Sequence, residues 1–174
     1  MNLFLKPKRE SKIPASLTIR PATSEDVTGL VKLAQSLSIA DGQRPSRLTK
    51  NVLLRDGFGE NPAFSALVAE VNQEVAGYTL YFEGYDTGRA SRGVYISDLY
   101  VDKAWRRQGI GRALMQATAI ACKETGGEWM FWSVLKSNKN ARKFYRKIGP
   151  ELTDVIVCAI IGSNFQKLSN NSSP

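Results

Sequence analysis

The stretch RRQGIGRALM, Arg106 to Met115, carries the clearest chemistry in this 174-residue chain. Gly109 and Gly111 sit among Arg106, Arg107 and Arg112, behind an apolar, strand-like run and at the head of an apolar-periodic helix. A helix start exposes unpaired N–H groups and a partial positive charge, and glycines let an anion approach the backbone. The stretch therefore reads as a phosphate loop. A Walker loop would end in Gly-Lys-Ser/Thr, which is absent, and a dinucleotide loop would need a small residue where Leu114 stands. There is no histidine, which excludes Ser-His and Cys-His nucleophilic pairs and histidine as a general base. No Cys/Asp/Glu cluster has metal-ligand spacing, so no metal is expected. The chemistry falls to tyrosine, carboxylates, backbone groups or water.

Charge points to the same segment. The net charge is +8, and residues 103 to 150 hold eleven Lys or Arg against two acids. The remainder holds thirteen against fourteen. All the excess positive charge lies in the segment containing the glycine loop, which predicts a polyanionic partner: nucleic acid or a phosphorylated cofactor.

The elements that must position this loop can be read from periodicity. Leu17 and Ile19 alternate in a short strand ended by Pro21, and a helix opens at Ser24 with acids in its first turn. A second helix is predicted over about 47–55. Three strands follow (FSALVAEV, VAGYTLYFEGY, VYISDLYVD) with short links, which suggests an antiparallel meander. After the loop, Ile110, Leu114, Ala117 and Ala121 make a helical stripe. EWMFWSVL reads as a buried strand, NKNARKFYRKIG as a short basic helix, and DVIVCAII as a last strand. The order is β-α-α-β-β-β-α-β-α-β. It predicts an α/β fold with a mixed, mostly antiparallel central sheet flanked by helices. One domain is expected over 17–168, between a flexible basic tail (1–16) and a disordered tail (169–174). Cys122 and Cys158 read as buried, inert packing, and no export signal or membrane span is visible, so a cytoplasmic protein is expected.

Two signatures in register resemble the GNAT superfamily of N-acetyltransferases. Arg106-Arg107-Gln108-Gly109-Ile110-Gly111 is similar to its acetyl-CoA pyrophosphate loop, and Asp98-Leu99-Tyr100-Val101 to the strand before it. SNKNARKFYRKIG is similar to the second signature, with Asn138, Ala141 and Tyr145 in the expected register. LLRDGFGENP, LVAEV, GYTLYFEGYDT, YISDLYV and KFYRKIG resemble segments of the diamine (spermidine/spermine) and thialysine acetyltransferases. Two departures stand out: Ser97 replaces a glutamate of that group, and Gly88 a tryptophan.

The resemblance implies the GNAT fold, acetyl-CoA as cofactor and a small-molecule primary amine, polyamine or amino-acid-like, as acceptor. It implies that backbone groups of Leu99, Tyr100 and Val101 pair with the pantetheine arm. Arg106, Arg107, Gln108, Gly109, Ile110, Gly111 and Arg112 would bind pyrophosphate, with Asn138, Lys139 and Ala141 as further cofactor contacts. Arg142 or Lys143 could also reach the adenosine phosphates. An alkyl amine is mostly protonated at neutral pH, so a base is required. Asp98 and Glu83 lead the candidates and Asp86 is a third, with Ser97 placed to order a water; Asp86 and Ser97 are further substrate-binding residues. Tyr145 takes the role of general acid toward the departing thiolate, and a homodimer is implied by the same resemblance. Neither nucleic acid nor membrane is expected as a partner. The rival readings are a CoA-binding sensor without turnover, a protein or peptide N-acetyltransferase, and a nucleic-acid binder using the basic segment.

Overall fold

The computed structural model describes Pro14 and residues 16–170. They divide into two compact units, one up to Leu135 and one from Lys136. The expected tails fall outside the described residues except for Pro14, Ser16, Ser169 and Asn170. Among the described residues no helix is long and apolar enough to cross a membrane.

The first unit runs β1 (Thr18–Pro21), a 3-10 turn (Ser24–Asp26), α1 (Val27–Ala40), α2 (Lys50–Phe58), β2 (Ser65–Val71), β3 (Glu74–Asp86) and β4 (Ser91–Val101). A second 3-10 turn (Lys103–Trp105), α3 (Ile110–Glu124) and β5 (Gly127–Trp132) complete it. The strands lie in chain order in one five-stranded sheet. The first three pairings are antiparallel, and β4 with β5, joined through α3, is parallel. The mixed α/β architecture expected from the sequence is the one observed.

Alternation along the strands sends side chains to two cores. On one face Val68, Tyr78 and Tyr100 pack with Val27, Leu30, Leu33 and Ala34 of α1 and Leu53 of α2. On the other, Leu67, Ala69, Val71 and Ala76 pack with Ile110 and Leu114 of α3. Arg20 ties β1 to the start of α1, bonding Asp26 through Nη1 (2.7 Å) and Nη2 (2.9 Å), and Glu70 of β2 through Nη2 (2.6 Å). Asp26, 6% exposed, also accepts from the Thr23 N–H. Helix α2 begins at Lys50 rather than 47, because Thr49 caps it by accepting from the Val52 N–H.

The second unit holds α4 (Lys139–Tyr145) and α5 (Ser163–Asn170). The expected final strand does not form. Residues 154–161 are irregular, with Val155, Ile156, Val157 and Ile161 between 64% and 86% exposed. An apolar run states a need for burial, but a strand exists only where a ladder partner takes its N–H and C=O groups. Cys158 is accordingly exposed, whereas Cys122 is buried as expected. Residues 169–170, read as tail, close α5.

Candidate active site

The glycine loop forms the sharp entry to α3. Asp102 ends β4 by accepting from the Ala104 N–H, which sets the intervening 3-10 turn. Arg107 (φ 67°) and Gly109 (φ 83°) are both left-handed, and Gln108 between them is not. Alternation of this kind makes backbone anion-binding concavities. Gly109 caps α3, with its carbonyl taking the Arg112 and Ala113 N–H groups at 3.0 Å. Among the described residues, the N–H groups of Arg107, Gln108, Gly109, Ile110 and Gly111 have no protein acceptor. A left-handed arginine costs about 1–2 kcal/mol relative to an ordinary conformation. That cost and five open donors fit a pyrophosphate group. Arg107 and Arg112 are exposed and half-buried Gln108 reaches Ala104 O at 3.4 Å. Arg106 turns back instead: its Nε donates to Val101 O (2.9 Å) and its guanidinium stands 5.1 Å from the Tyr100 ring centroid.

β4 has the second feature. Its pairing with β3 steps from Tyr81 opposite Ile96 to Leu80 opposite Asp98, which leaves Ser97 as the extra residue of a bulge. Its pairing with β5 ends at Ile96 opposite Trp132. Residues 97–101 therefore present an edge with no strand beside it among the described residues of this unit. Such an edge can pair with an extended amide chain in the manner of an added strand. Leu99 and Val101 point to the α3 face and Tyr100 to the α1 face.

Asp98 projects to the α1 face beside Tyr78, whose hydroxyl donates to Asp98 Oδ2 at 2.7 Å. Tyr78 is 1% exposed, and burial first, then the Asp98 charge, pushes its phenol far above the ordinary tyrosine range. It therefore stays a neutral donor. Among the described residues, Oδ1 of Asp98 has only a long 3.4 Å contact from exposed Ser97.

The other expected acids do not converge on Asp98. Glu83 lies opposite Val94, on the face of Tyr81 and α3. It is 64% exposed, with Arg92 at 3.9 Å. The bulge and strand parity thus place the two candidate bases on opposite faces of the sheet. Asp86 accepts from both the Arg89 N–H (3.0 Å) and its guanidinium (2.7 Å), which hold its carboxyl below the usual range. Asp56, a further acid in α2, is engaged by Arg55.

In the second unit Asn138 caps α4, accepting from Ala141 N–H at 3.1 Å. Arg142 forms a two-pronged pair with Glu151 (2.9 and 2.8 Å), so it is not an open phosphate ligand. Lys139 and Lys143 are exposed, and Tyr145 is half-buried with its ring 5.1 Å from Phe144.

One surface escaped sequence reasoning. Phe82 and Tyr95 form a cross-strand pair (centroids 5.4 Å) on the face that carries Asp98. Tyr95 faces Phe131 of β5, whose ring lies 4.9 Å from that of Trp129. Trp129 lies across Gly93 and Gly84, where a Cβ on Gly84 would come within 2.8 Å of the indole. Trp129 reads from sequence only as packing. The two mid-strand glycines flanking the meander loop are the signal that a large ring crosses there.

A model of the acetyltransferase (GNAT) family matches residues 32–149. Among curated proteins, the thialysine N-epsilon-acetyltransferase of Mus musculus is 33% identical over 148 residues, 79% of this chain and 85% of that protein. The corresponding Bos taurus protein is 31% identical over the same shares. The spermidine/spermine N(1)-acetyltransferase-like protein 1 of Homo sapiens is 30% identical over 75% of this chain and 20% of its own length. Among solved structures, an integron cassette protein from the mobile metagenome of V. cholerae aligns with a TM-score of 0.76 at 23% identity, covering 90% of this chain and 99% of that one. An aminoglycoside acetyltransferase from a soil metagenomic sample aligns at 0.70 and 24%, covering 84% and 96%.

Proposed function

The chain belongs to the acetyltransferase (GNAT) family, and on that premise we propose that it transfers the acetyl group of acetyl-CoA to a primary amine of a small molecule. The observation that carries this reading is one juxtaposition: open N–H groups at the head of α3 directly follow a β4 edge without a strand beside it. The first suits a pyrophosphate and the second a pantetheine amide chain. The relatives named for thialysine and for spermidine/spermine support a small amine as acceptor.

Loop residues Arg107 to Arg112 would hold the phosphates, and the edge of Leu99 to Val101 would orient the thioester, which supplies the acetyl group. Strand N–H groups there would also stabilise negative charge on the carbonyl oxygen. Asp98 would bind the incoming ammonium and accept its proton, directly or through a water near Ser97. The neutral amine forms the new N–C bond as the C–S bond breaks. Asp98 would release that first proton to solvent before taking the second from the acylated nitrogen, and the thiolate would leave with a proton that Tyr145, on the family motif, would provide and regain from solvent. Holding both reactants together supplies much of the rate. Asn138, Lys139 and Ala141 remain proposed cofactor contacts on the family motif. The basic segment would thus serve a phosphorylated cofactor rather than nucleic acid.

A cytoplasmic setting is supported by two free thiols. A homodimer is supported by the exposed apolar run 154–161. The test is free-thiol release from acetyl-CoA with spermidine, putrescine, lysine, thialysine, aminoglycosides, aromatic monoamines and short peptides. Turnover with small amines is expected. Acetyl-CoA binding by calorimetry with no turnover of any amine would make the chain a sensor, and turnover of peptides alone would make it a protein acetyltransferase.

A further inference from the structure

We propose that the acceptor is a primary amine with one positive charge and a flat aromatic group, an assignment that rests on the acetyltransferase reading above. Three features of the Asp98 face support it. The first is its shape. Along β3, the Leu80–Asp98 rung is followed on the same face by Phe82–Tyr95 and then by the Gly84–Gly93 rung that Trp129 crosses. Same-face rungs stand about 7 Å apart, so an aromatic floor begins one rung from the carboxylate. A short link between amine and ring spans that distance. The amine then lies at the bulge where the β4 edge opens.

The second feature is open ring surface. Phe82 is 43% exposed, and Tyr95, Phe131 and Trp129 are half-buried. The Arg89 guanidinium stands 5.7 Å from the Phe131 centroid, so that ring already carries a cation, and Phe82 and Tyr95 are the rings nearest Asp98.

The third is charge. A diamine, polyamine or amino-acid acceptor carries a second charged group that must find a partner when it leaves water. Asp86 is spent on Arg89, Asp56 on Arg55, and Glu83 is on the opposite face. Asp98 has no basic partner among the described residues.

The experiment measures kcat/KM of the full chain for phenethylamine, tyramine and tryptamine against putrescine, spermidine, lysine and thialysine. The two variants Trp129→Leu and Phe82→Leu are assayed in parallel. Phe82 is exposed, so its variant keeps the test valid if loss of Trp129 impairs folding. The expected result is at least tenfold higher kcat/KM for the aromatic monoamines. A rise of at least fivefold in their KM is expected in the folded variants, with the acetyl-CoA KM unchanged. Preference for a diamine or lysine-type acceptor, or variants with unaltered aromatic-amine KM, would overturn the assignment and leave the enzyme reading standing. Acetyl-CoA binding without turnover of any amine would remove both.

Discussion

The Tyr78 hydroxyl lies 2.7 Å from Asp98 Oδ2, so a core phenol pins one oxygen of a half-buried carboxylate. The pair couples the α1 core to the bulge of β4, and in the proposed mechanism Oδ1 would be the oxygen that meets the ammonium.

Tyr78→Phe keeps the ring and removes this bond. A hydrogen bond to a charged group contributes about 1.5–3 kcal/mol, which corresponds to roughly tenfold or more in kcat/KM for the amine. The loss should fall on the amine KM and turnover, with the acetyl-CoA KM within about twofold of wild type. Steady-state kinetics with each substrate varied in turn decides it. Equal losses for both substrates would mean that Tyr78 merely supports the fold.

Gly109→Val places a β-branched residue at φ 83°, where a side chain costs on the order of 1–2 kcal/mol, and fills space beside the open donors. Acetyl-CoA affinity should fall at least tenfold by calorimetry, with a lowered melting temperature. Retained affinity in a folded variant would show that the phosphates bind elsewhere.

Tyr145→Phe should cut kcat at least tenfold while acetyl-CoA affinity stays near wild type if, as proposed, its hydroxyl donates the proton to the thiolate. An acceptor-thiol assay together with calorimetry separates the two. A wild-type rate would remove Tyr145 from the chemistry.

Asp26→Asn tests the link between β1 and α1. The hydrogen bonds from Arg20 hold the Asp26 carboxyl below the usual range, against the opposing effect of burial. A folded-state pKa below the unfolded one gives stability that is present above about pH 4 and lost as pH falls below it. The variant should be less stable by about 2 kcal/mol near pH 7. Its gap to wild type should shrink near pH 3, as followed by urea unfolding. A pH-independent gap would show that packing, not charge, is what Asp26 supplies.

What the sequence by itself determined is local. The turn of the glycine loop, the stripe of α3 and the strands β1 to β4 all rest on residues close in the chain, where glycine freedom and period-2 or period-3.6 patterns act directly. What only the tertiary structure decided is which side of the sheet each residue faces and which charges find each other. Ser97 as the bulge residue puts Asp98 on the α1 face while Glu83 points to α3. No count along one strand reveals that, because a bulge is a relation between two strands. The engagement of Arg142 by Glu151 and the path of Trp129 over Gly84 and Gly93 likewise depend on neighbours brought together by folding. DVIVCAII shows the limit most plainly. Its composition asks for burial, but whether it becomes a strand depends on a ladder partner that composition does not name.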